Sequence, residues 1–428
     1  MPCGKRIVLA TLGSFGDLHP YIALGIGLKD RGHAPVVATS EFYRPKVESA
    51  GLEFAPIPPD LPDLGDEIEL SRKITDQATG SEFVVKELIA PYTEKGYDAL
   101  AAACQGADLL VSHPLTLAAP LYGEKTGLPW VSSVLAPLSL FSTYDPPVYP
   151  QMPALNYFRW MGSWFFRLMM GAARRKINTW MQPVRDLRAK LGLPPSDKCP
   201  LLEGQYSPRG TLAMFSSVLG SPQPDWPVNT HVTGFPFYDR LDHSQGLPEE
   251  LETFLKAGEA PIVFTLGSSA VLDAGTFFEE SYQATKRIGR RAIFLIGRDE
   301  RNRLPHALPD SMMQAEYAPY SELFPRAAAV VHQGGVGTTG QGLAGGIPTL
   351  IMPFAHDQPD NAYRAQRLGV SRTISRKKYR AANAAHELSQ LLDNPNYRKR
   401  AQEVAQIVRA EQGVIKASEF LESVATKG

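Results

Sequence analysis

Short apolar runs recur along the chain, each closed by glycine or proline and followed by a segment with helical spacing. The run Arg6-Ile7-Val8-Leu9-Ala10-Thr11-Leu12 ends at Gly13, and its unbroken hydrophobicity predicts a strand buried on both faces of a parallel sheet. A helix is predicted next, with Pro20 in its first turn, apolar positions at Ile22, Leu24, Ile26 and Leu28, and a stop at Gly32 before Val36-Val37-Ala38-Thr39. This is one βαβ unit, and the rhythm continues through residues 108–112 and 130–134. It restarts at 261–267 and repeats at 292–297, 328–331 and 349–353. Between the two halves, residues 220–248 carry Pro222, Pro224, Pro227, Pro236 and Pro248, a composition that resists regular structure and suits an interdomain connection. The expected organisation is therefore α/β: a first domain over 1–240, a second over 241–405, and a terminal helix over 406–428 packing across both. That helix belongs to a stretch of alternating charge, 397–427, read as helical throughout. Two facing parallel sheets bind ligands outside the carboxyl ends of their strands, which places function in the cleft between them.

At 428 residues the chain exceeds what one hydrophobic core usually serves. The 44 Lys and Arg balance the 44 Asp and Glu, so no long-range field favours nucleic acid or an anionic surface. Cys3, Cys104 and Cys199 give neither a disulfide framework nor zinc-site spacing, which suits a reducing cytosol. No stretch reaches the ~18 apolar residues of a membrane span, and residues 1–12 lack a cleavage signature. A cytoplasmic protein without an integral membrane segment is expected.

Chemistry concentrates in three places. After the buried run to Val331 comes His332-Gln333-Gly334-Gly335-Val336-Gly337-Thr338-Thr339-Gly340, opening a helix. Glycines let backbone amides approach a ligand, threonines add hydroxyls, and the helix start adds partial positive charge, a combination suited to a diphosphate. The bland alternative is a tight turn whose glycines serve only packing. Next, Asp357-Gln358 in Pro353-Phe354-Ala355-His356-Asp357-Gln358-Pro359-Asp360-Asn361-Ala362 sets a carboxylate beside an amide, as sugar hydroxyls require; alone, such a pair is usually a helix cap. Upstream, Tyr317 offers a ring for stacking a nucleobase and Ala318 its backbone, while Ser268 follows the strand ending at Gly267. Third, Gly13-Ser14-Phe15-Gly16 lacks the full dinucleotide fingerprint, and Asp17 behind it would repel pyrophosphate.

Together these motifs resemble family 1 glycosyltransferases, in the branch with sterol glucosyltransferases, glycopeptide-antibiotic transferases and the rhamnosyltransferase that builds rhamnolipids. YAPYSELF, HQGGVGTT and PFAHDQPDNA in 317–370 carry the likeness, with Gly13-Ser14-Phe15-Gly16-Asp17-Leu18-His19-Pro20 at the start. The resemblance implies the GT-B fold, two facing Rossmann-like domains, with the acceptor in the first and the donor in the second. It also implies inverting transfer from a nucleotide sugar, with no cofactor and no metal. Diphosphate contacts map onto His332, Gly334, Gly335, Gly337, Thr338 and Thr339, with His332 read as a protonated donor, and sugar contacts onto Asp357 and Gln358. Plant relatives hold the ribose with a glutamate where this chain has Gly340, which leaves UDP and dTDP both open.

The resemblance places a catalytic base at Asp17, in the frame where plant relatives carry histidine; the competing reading is a helix cap. His19 is the competing base. Phe15 is expected to line the acceptor cleft, and His113 lies where plant enzymes keep the acidic partner of their histidine, so the pair is reversed here. The best acidic candidate for a metal, Asp60, Asp63, Asp66 and Glu67, sits in a Pro-rich stretch and reads as solvated surface. Residues 157–180 are aromatic and Met-rich, with Tyr157, Met161, Trp164, Phe165 and Leu168 on one helical face; they read either as a core-facing helix, or as an acceptor wall or peripheral membrane contact. The expected function is transfer of a hexose, glucose or rhamnose, from a UDP- or dTDP-sugar to a hydroxyl on a lipid, sterol or polyphenol. The alternatives are a non-catalytic nucleotide-sugar-binding activator of a partner transferase and, less favoured, an epimerase.

Overall fold

The computed structural model describes residues 4–60, 66–239 and 246–427. Cys3, Asp63 and Arg240, the expected domain boundary, lie outside these residues.

Seven parallel strands form the first sheet: β1 (Arg6–Ala10), β2 (Ala34–Thr39), β3 (Glu53–Pro56), β4 (Leu109–Ser112), β5 (Trp130–Val134), β6 (Thr211–Ala213) and β7 (Thr230–Val232), in spatial order β3-β2-β1-β4-β5-β6-β7. The second sheet has six: β8 (Ile262–Thr265), β9 (Ala292–Leu295), β10 (Met312–Ala315), β11 (Ala329–His332), β12 (Thr349–Ile351) and β13 (Ser371–Thr373), in order β10-β9-β8-β11-β12-β13. Every pairing is parallel, for example Val8 to Val36 and Leu110, and Val331 to Leu350 and Phe264. The central strands are buried along their length because helices cover both faces, which is why their sequences read as continuous hydrophobic runs. In each sheet the strand order reverses direction once, between β1 and β4 and between β8 and β11. Ligands bind α/β sheets at that crevice.

Three local expectations are corrected. The first helix spans Phe15–Asp30, so Pro20 lies inside it; Ser14 and Asp17 form a reciprocal cap that starts the helix five residues earlier. Residues 397–427 form two helices, Pro395–Ala410 and Gly413–Lys427, broken where Gln412 takes φ +54°. Residues 157–180 are not one helix, since a 3-10 segment (Pro153–Met161) stops at Gly162 before the helix Ser163–Trp180. Nor does the aromatic stripe face a core: Tyr157, Trp164 and Leu168 are exposed and Met161 and Phe165 half-buried, while the helix Ser163–Trp180 turns Phe166, Met170 and Ile177 to the cleft. The Pro-rich connection also contains β7 as an edge strand of the first sheet.

The halves are joined by buried apolar side chains, with Val134, Phe215 and Phe235 from the first domain against Leu343, Ala362 and Val404 from the second. The last helix crosses back, placing Ala417, Leu421 and Val424 in the core under β1 and β4. No helix among the described residues is long and apolar enough to cross a membrane.

Candidate active site

A cleft of about 1600 Å³ runs between the two sheets. Typical sites for drug-sized ligands occupy ~300–1,000 Å³, so this one has room for a nucleotide sugar and a second molecule. Its first-domain wall includes Phe15, Asp17 and His113; its second-domain wall includes Ser268, Tyr317, Gly335, Gly337, Thr338, Asp357 and Gln358. Ala318, His332, Gly334 and Thr339 sit one layer behind that lining, with their side chains or backbone buried.

Asp17 fills the helix-cap role, and its second carboxylate oxygen is turned towards His113. Its Oδ2 accepts from the Ser14 backbone N–H at 2.7 Å and from Ser14 Oγ at 3.1 Å, which makes it a genuine helix cap. Its Oδ1 lies 3.5 Å from His113 Nε2. His113 follows β4, and its Nδ1 accepts from the Leu115 backbone N–H at 3.3 Å, so the ring proton sits on Nε2, towards Asp17. Burial pushes the His113 imidazole below its ordinary value against the pull of Asp17, so the ring is neutral at pH 7. Tyr21, bonded to Ser133 Oγ at 2.6 Å, packs edge-on against it. Glycine is required at position 13, where φ is +136° and a Cβ would fall 2.3 Å from Asp17 Oδ2. His19 is no rival base: it packs against Phe15 and Tyr238, and burial, helped by Lys46, pushes it down to about 4.

Across the cleft, the helix Val336–Gly345 starts at Gly335 without any side-chain cap, leaving its first amides free to bind an anion. Gly334 takes φ +91°, and a Cβ there would meet Ile351 Cγ2 at 2.8 Å. Around this turn four buried polar atoms have no hydrogen-bond partner: His332 Nε2, Gln333 Oε1, Thr339 Oγ1 and Asn361 Oδ1. Buried polar groups are nearly always paired, so this concentration marks a ligand-binding turn. His332 is neutral, not protonated as expected, because burial pushes it down to about 3. Its Nδ1 accepts from the Gly334 N–H at 3.0 Å, which leaves Nε2–H as a neutral donor.

The Asp357-Gln358 pair opens the helix Gln358–Arg367. Gln358 Oε1 accepts from the Phe354 and Ala355 amides at 2.8 and 3.3 Å, committing its oxygen. Asn361, to which the sequence reading gave no role, donates to Asp357 Oδ2 at 2.7 Å and to the Gly334 carbonyl at 2.9 Å, tying the Asp357-Gln358 pair to the glycine turn. Its signal was its place four residues after Asp357 on a helix. Burial pushes the Asp357 carboxyl up to about 7; the Asn361 bond opposes this, and the negative charge of Asp17, facing it across the cleft, adds to it.

Since Asp357 binds its proton more tightly when folded than the ~3.9 of an exposed aspartate, its favourable contribution is complete below about pH 4 and is lost as pH rises to about 7. Asp357→Asn, which cannot ionise, is expected to match wild-type stability near pH 4 and exceed it at pH 8 by on the order of 3 kcal/mol. Urea denaturation across that range checks this, and a pH-independent gap contradicts it.

Tyr317 lines the cleft with its hydroxyl bonded to the Asp239 carbonyl. Gly340 lies behind the turn, where a Cβ would stand 3.1 Å from the Phe235 ring, so the first domain fills the space a ribose-binding side chain would take. Asp60 accepts from Ser40 Oγ and the Glu41 N–H, and Asp66 caps the helix Glu67–Thr75 through the Ile68 and Glu69 amides. No group of three or more acidic, His or Cys side chains is placed to hold a metal among the described residues.

Residues 7–130 match the glycosyltransferase family 28 N-terminal domain, and 285–414 match the erythromycin biosynthesis protein CIII-like C-terminal domain. The O-mycaminosyltylonolide 6-deoxyallosyltransferase of Streptomyces fradiae is 33% identical over 434 residues, covering 97% of each chain. A sterol 3-beta-glucosyltransferase of Neurospora crassa is 30% identical over 96% of this chain, which spans only 26% of that protein's length. Among solved structures, the glycotransferase of kitacinnamycin superposes with a TM-score of 0.75 at 20% identity, covering 99% and 100% of the chains. Glycosyltransferase VinC in complex with dTDP gives 0.68 at 18% identity, over 99% and 100%. With two facing parallel-sheet domains, a reciprocal carboxylate cap in one and an uncapped glycine turn in the other, the chain belongs to the family 1 glycosyltransferases of GT-B fold.

Proposed function

We propose that this enzyme transfers a hexose, glucose or rhamnose, from UDP or dTDP to a hydroxyl of an apolar acceptor, with inversion and without a catalytic metal. The observation that carries this reading is the placement of Asp17 opposite Asp357 and the Gly334–Thr339 turn across one cleft. Asp17 takes the acceptor proton as its oxygen attacks the anomeric carbon. His113 orients the carboxylate through Oδ1, while the Ser14 contacts fix Oδ2. The departing diphosphate is stabilised by first-turn amides, the Thr338 and Thr339 hydroxyls and neutral His332. Asp17 and Asp357 are each committed to protein partners, which argues against their serving as metal ligands. The apolar wall built by Phe166, Met170, Ile177 and Trp180 suits a lipid, sterol or polyphenol acceptor. The names of the relatives, an O-mycaminosyltylonolide 6-deoxyallosyltransferase and a sterol 3-beta-glucosyltransferase, support a small-molecule acceptor.

Calorimetric titration with UDP, dTDP and their glucose and rhamnose conjugates, followed by an acceptor panel with the tightest donor, tests the reading. Saturable diphosphate binding and transfer undiminished by chelator are expected. A tenfold loss in chelator contradicts metal independence, and donor binding with no transfer to any acceptor favours the activator-subunit alternative.

A further inference from the structure

His356 stands between the two halves of the cleft in a backbone conformation that few side chains adopt. Its φ of +56° places it with Phe141, Asn229 and Gln412 as the non-glycine residues of positive φ among those described. Glycine would occupy this position without strain, and histidine is among the side chains that tolerate it, so what the imidazole touches decides its role. The conformation carries the imidazole across the domain gap, where Nδ1 lies 3.1 Å from Ser81 Oγ in the short helix Gly80–Phe83. The Ile74 backbone carbonyl, at the end of the helix Glu67–Thr75, is a further hydrogen-bonding partner. Ile74, Ser81 and His356 all line the cleft. The ring therefore faces first-domain protein, while the next residue in the chain is the sugar-facing Asp357. The domains are already joined by a buried apolar cluster and by the Arg364 ion pairs, so one neutral hydrogen bond adds little to holding them together. Its importance comes from its position beside Asp357.

We propose that His356 is a positioning residue: its imidazole, held on Ser81, fixes the Asp357-Gln358 pair relative to the first domain so that the donor sugar presents its anomeric carbon to Asp17. The residue neither touches the reacting atoms nor exchanges a proton with them. This inference rests on the reading of the cleft as a sugar-transfer site.

The test is a double-mutant cycle with His356→Gly, Ser81→Ala and their combination, and with His356→Asn as the conservative variant. Each single change is expected to lower kcat for transfer about tenfold, and the double variant is expected to fall no further than His356→Gly. Affinity for the nucleoside diphosphate, measured by calorimetry, is expected to stay within about twofold because the phosphate turn is untouched. His356→Gly is expected to melt no lower than wild type, since glycine accepts the positive φ. Asparagine, which tolerates this conformation and offers an amide to Ser81, is expected to recover most of the lost turnover. Additive losses in the double variant, a parallel loss of diphosphate affinity, or wild-type turnover in His356→Gly would each overturn the proposal. Wild-type protein that binds donor but transfers to no acceptor removes the reading of the cleft, and this inference with it; wild-type transfer with an unaffected His356→Gly removes the inference alone.

Discussion

Asp17→Asn is expected to lower the turnover number for sugar transfer by about 10²–10⁴-fold while leaving affinity for the nucleoside diphosphate within about twofold. Asparagine keeps an oxygen to accept from the Ser14 N–H, so the helix Phe15–Asp30 retains its cap and the fold survives. What it loses is basicity on the oxygen that faces His113 and the cleft. If capping were the only duty of Asp17, this variant would turn over at close to the wild-type rate. Steady-state kinetics paired with calorimetry separates the two, and full activity in the variant contradicts the base assignment.

A second large effect is expected far from the reacting atoms. Arg364 has 2% of its side chain exposed and joins Asp360, fully buried, at 2.7 Å, the Leu219 carbonyl at 2.9 Å, and Asp145 of the first domain. Asp360 in turn accepts from the Val148 N–H at 3.0 Å. Burial alone would raise the Asp145 carboxyl, but the Arg364 and Arg367 guanidinium groups outweigh it and hold the carboxyl below its ordinary value. Arg364→Met leaves the fully buried Asp360 without its cation, while Asp145 keeps Arg367 and Arg159, and removing one partner of a buried pair costs about 3–5 kcal/mol. That is a large fraction of the ~5–15 kcal/mol stability of a typical domain. Urea unfolding should show the loss, and adding Asp360→Asn should recover part of it; a loss under about 1 kcal/mol in Arg364→Met contradicts the network's role. The same helix begins with Asp357-Gln358, so the ion pairs also seat these two cleft-lining residues against the first-domain loop that carries Asp145 and Val148.

The central strands were legible because they are buried on both faces, which forces the uninterrupted apolar runs seen at Ile7–Ala10 and Ala329–Val331, whereas the partly buried β3, β7, β10 and β13 carry no such run and were not read from the sequence. The glycine turn before the helix Val336–Gly345 was legible because its shape is set locally, by the backbone angle at Gly334 and the uncapped helix start at Gly335. What depends on distant contacts was not legible. The Arg364 to Asp145 pair spans 219 positions, and nothing local in Asp-Asn-Ala-Tyr-Arg distinguishes it from a solvated helix face. Likewise the aromatic helix has two apolar faces, and only the cleft decides that Phe166 and Met170 turn inward while Trp164 and Leu168 turn out. Pro20 misled because proline favours a first turn, yet here the Ser14 and Asp17 cap fixes the start and Pro20 merely has no N–H to give the Gly16 carbonyl. The protonated His332 failed for a similar reason: the motif gives the residue type, but only burial tells its charge.

The account stands on one geometric claim, that the second-domain turn holds the diphosphate on one side of the sugar while Asp17 activates the acceptor on the other. The anomeric configuration of the product tests it most directly, read by proton NMR after a single round of transfer from a donor of known configuration. One displacement from the face opposite the leaving group gives a product of inverted configuration, and that is the result expected; a product retaining the donor's configuration would contradict the claim.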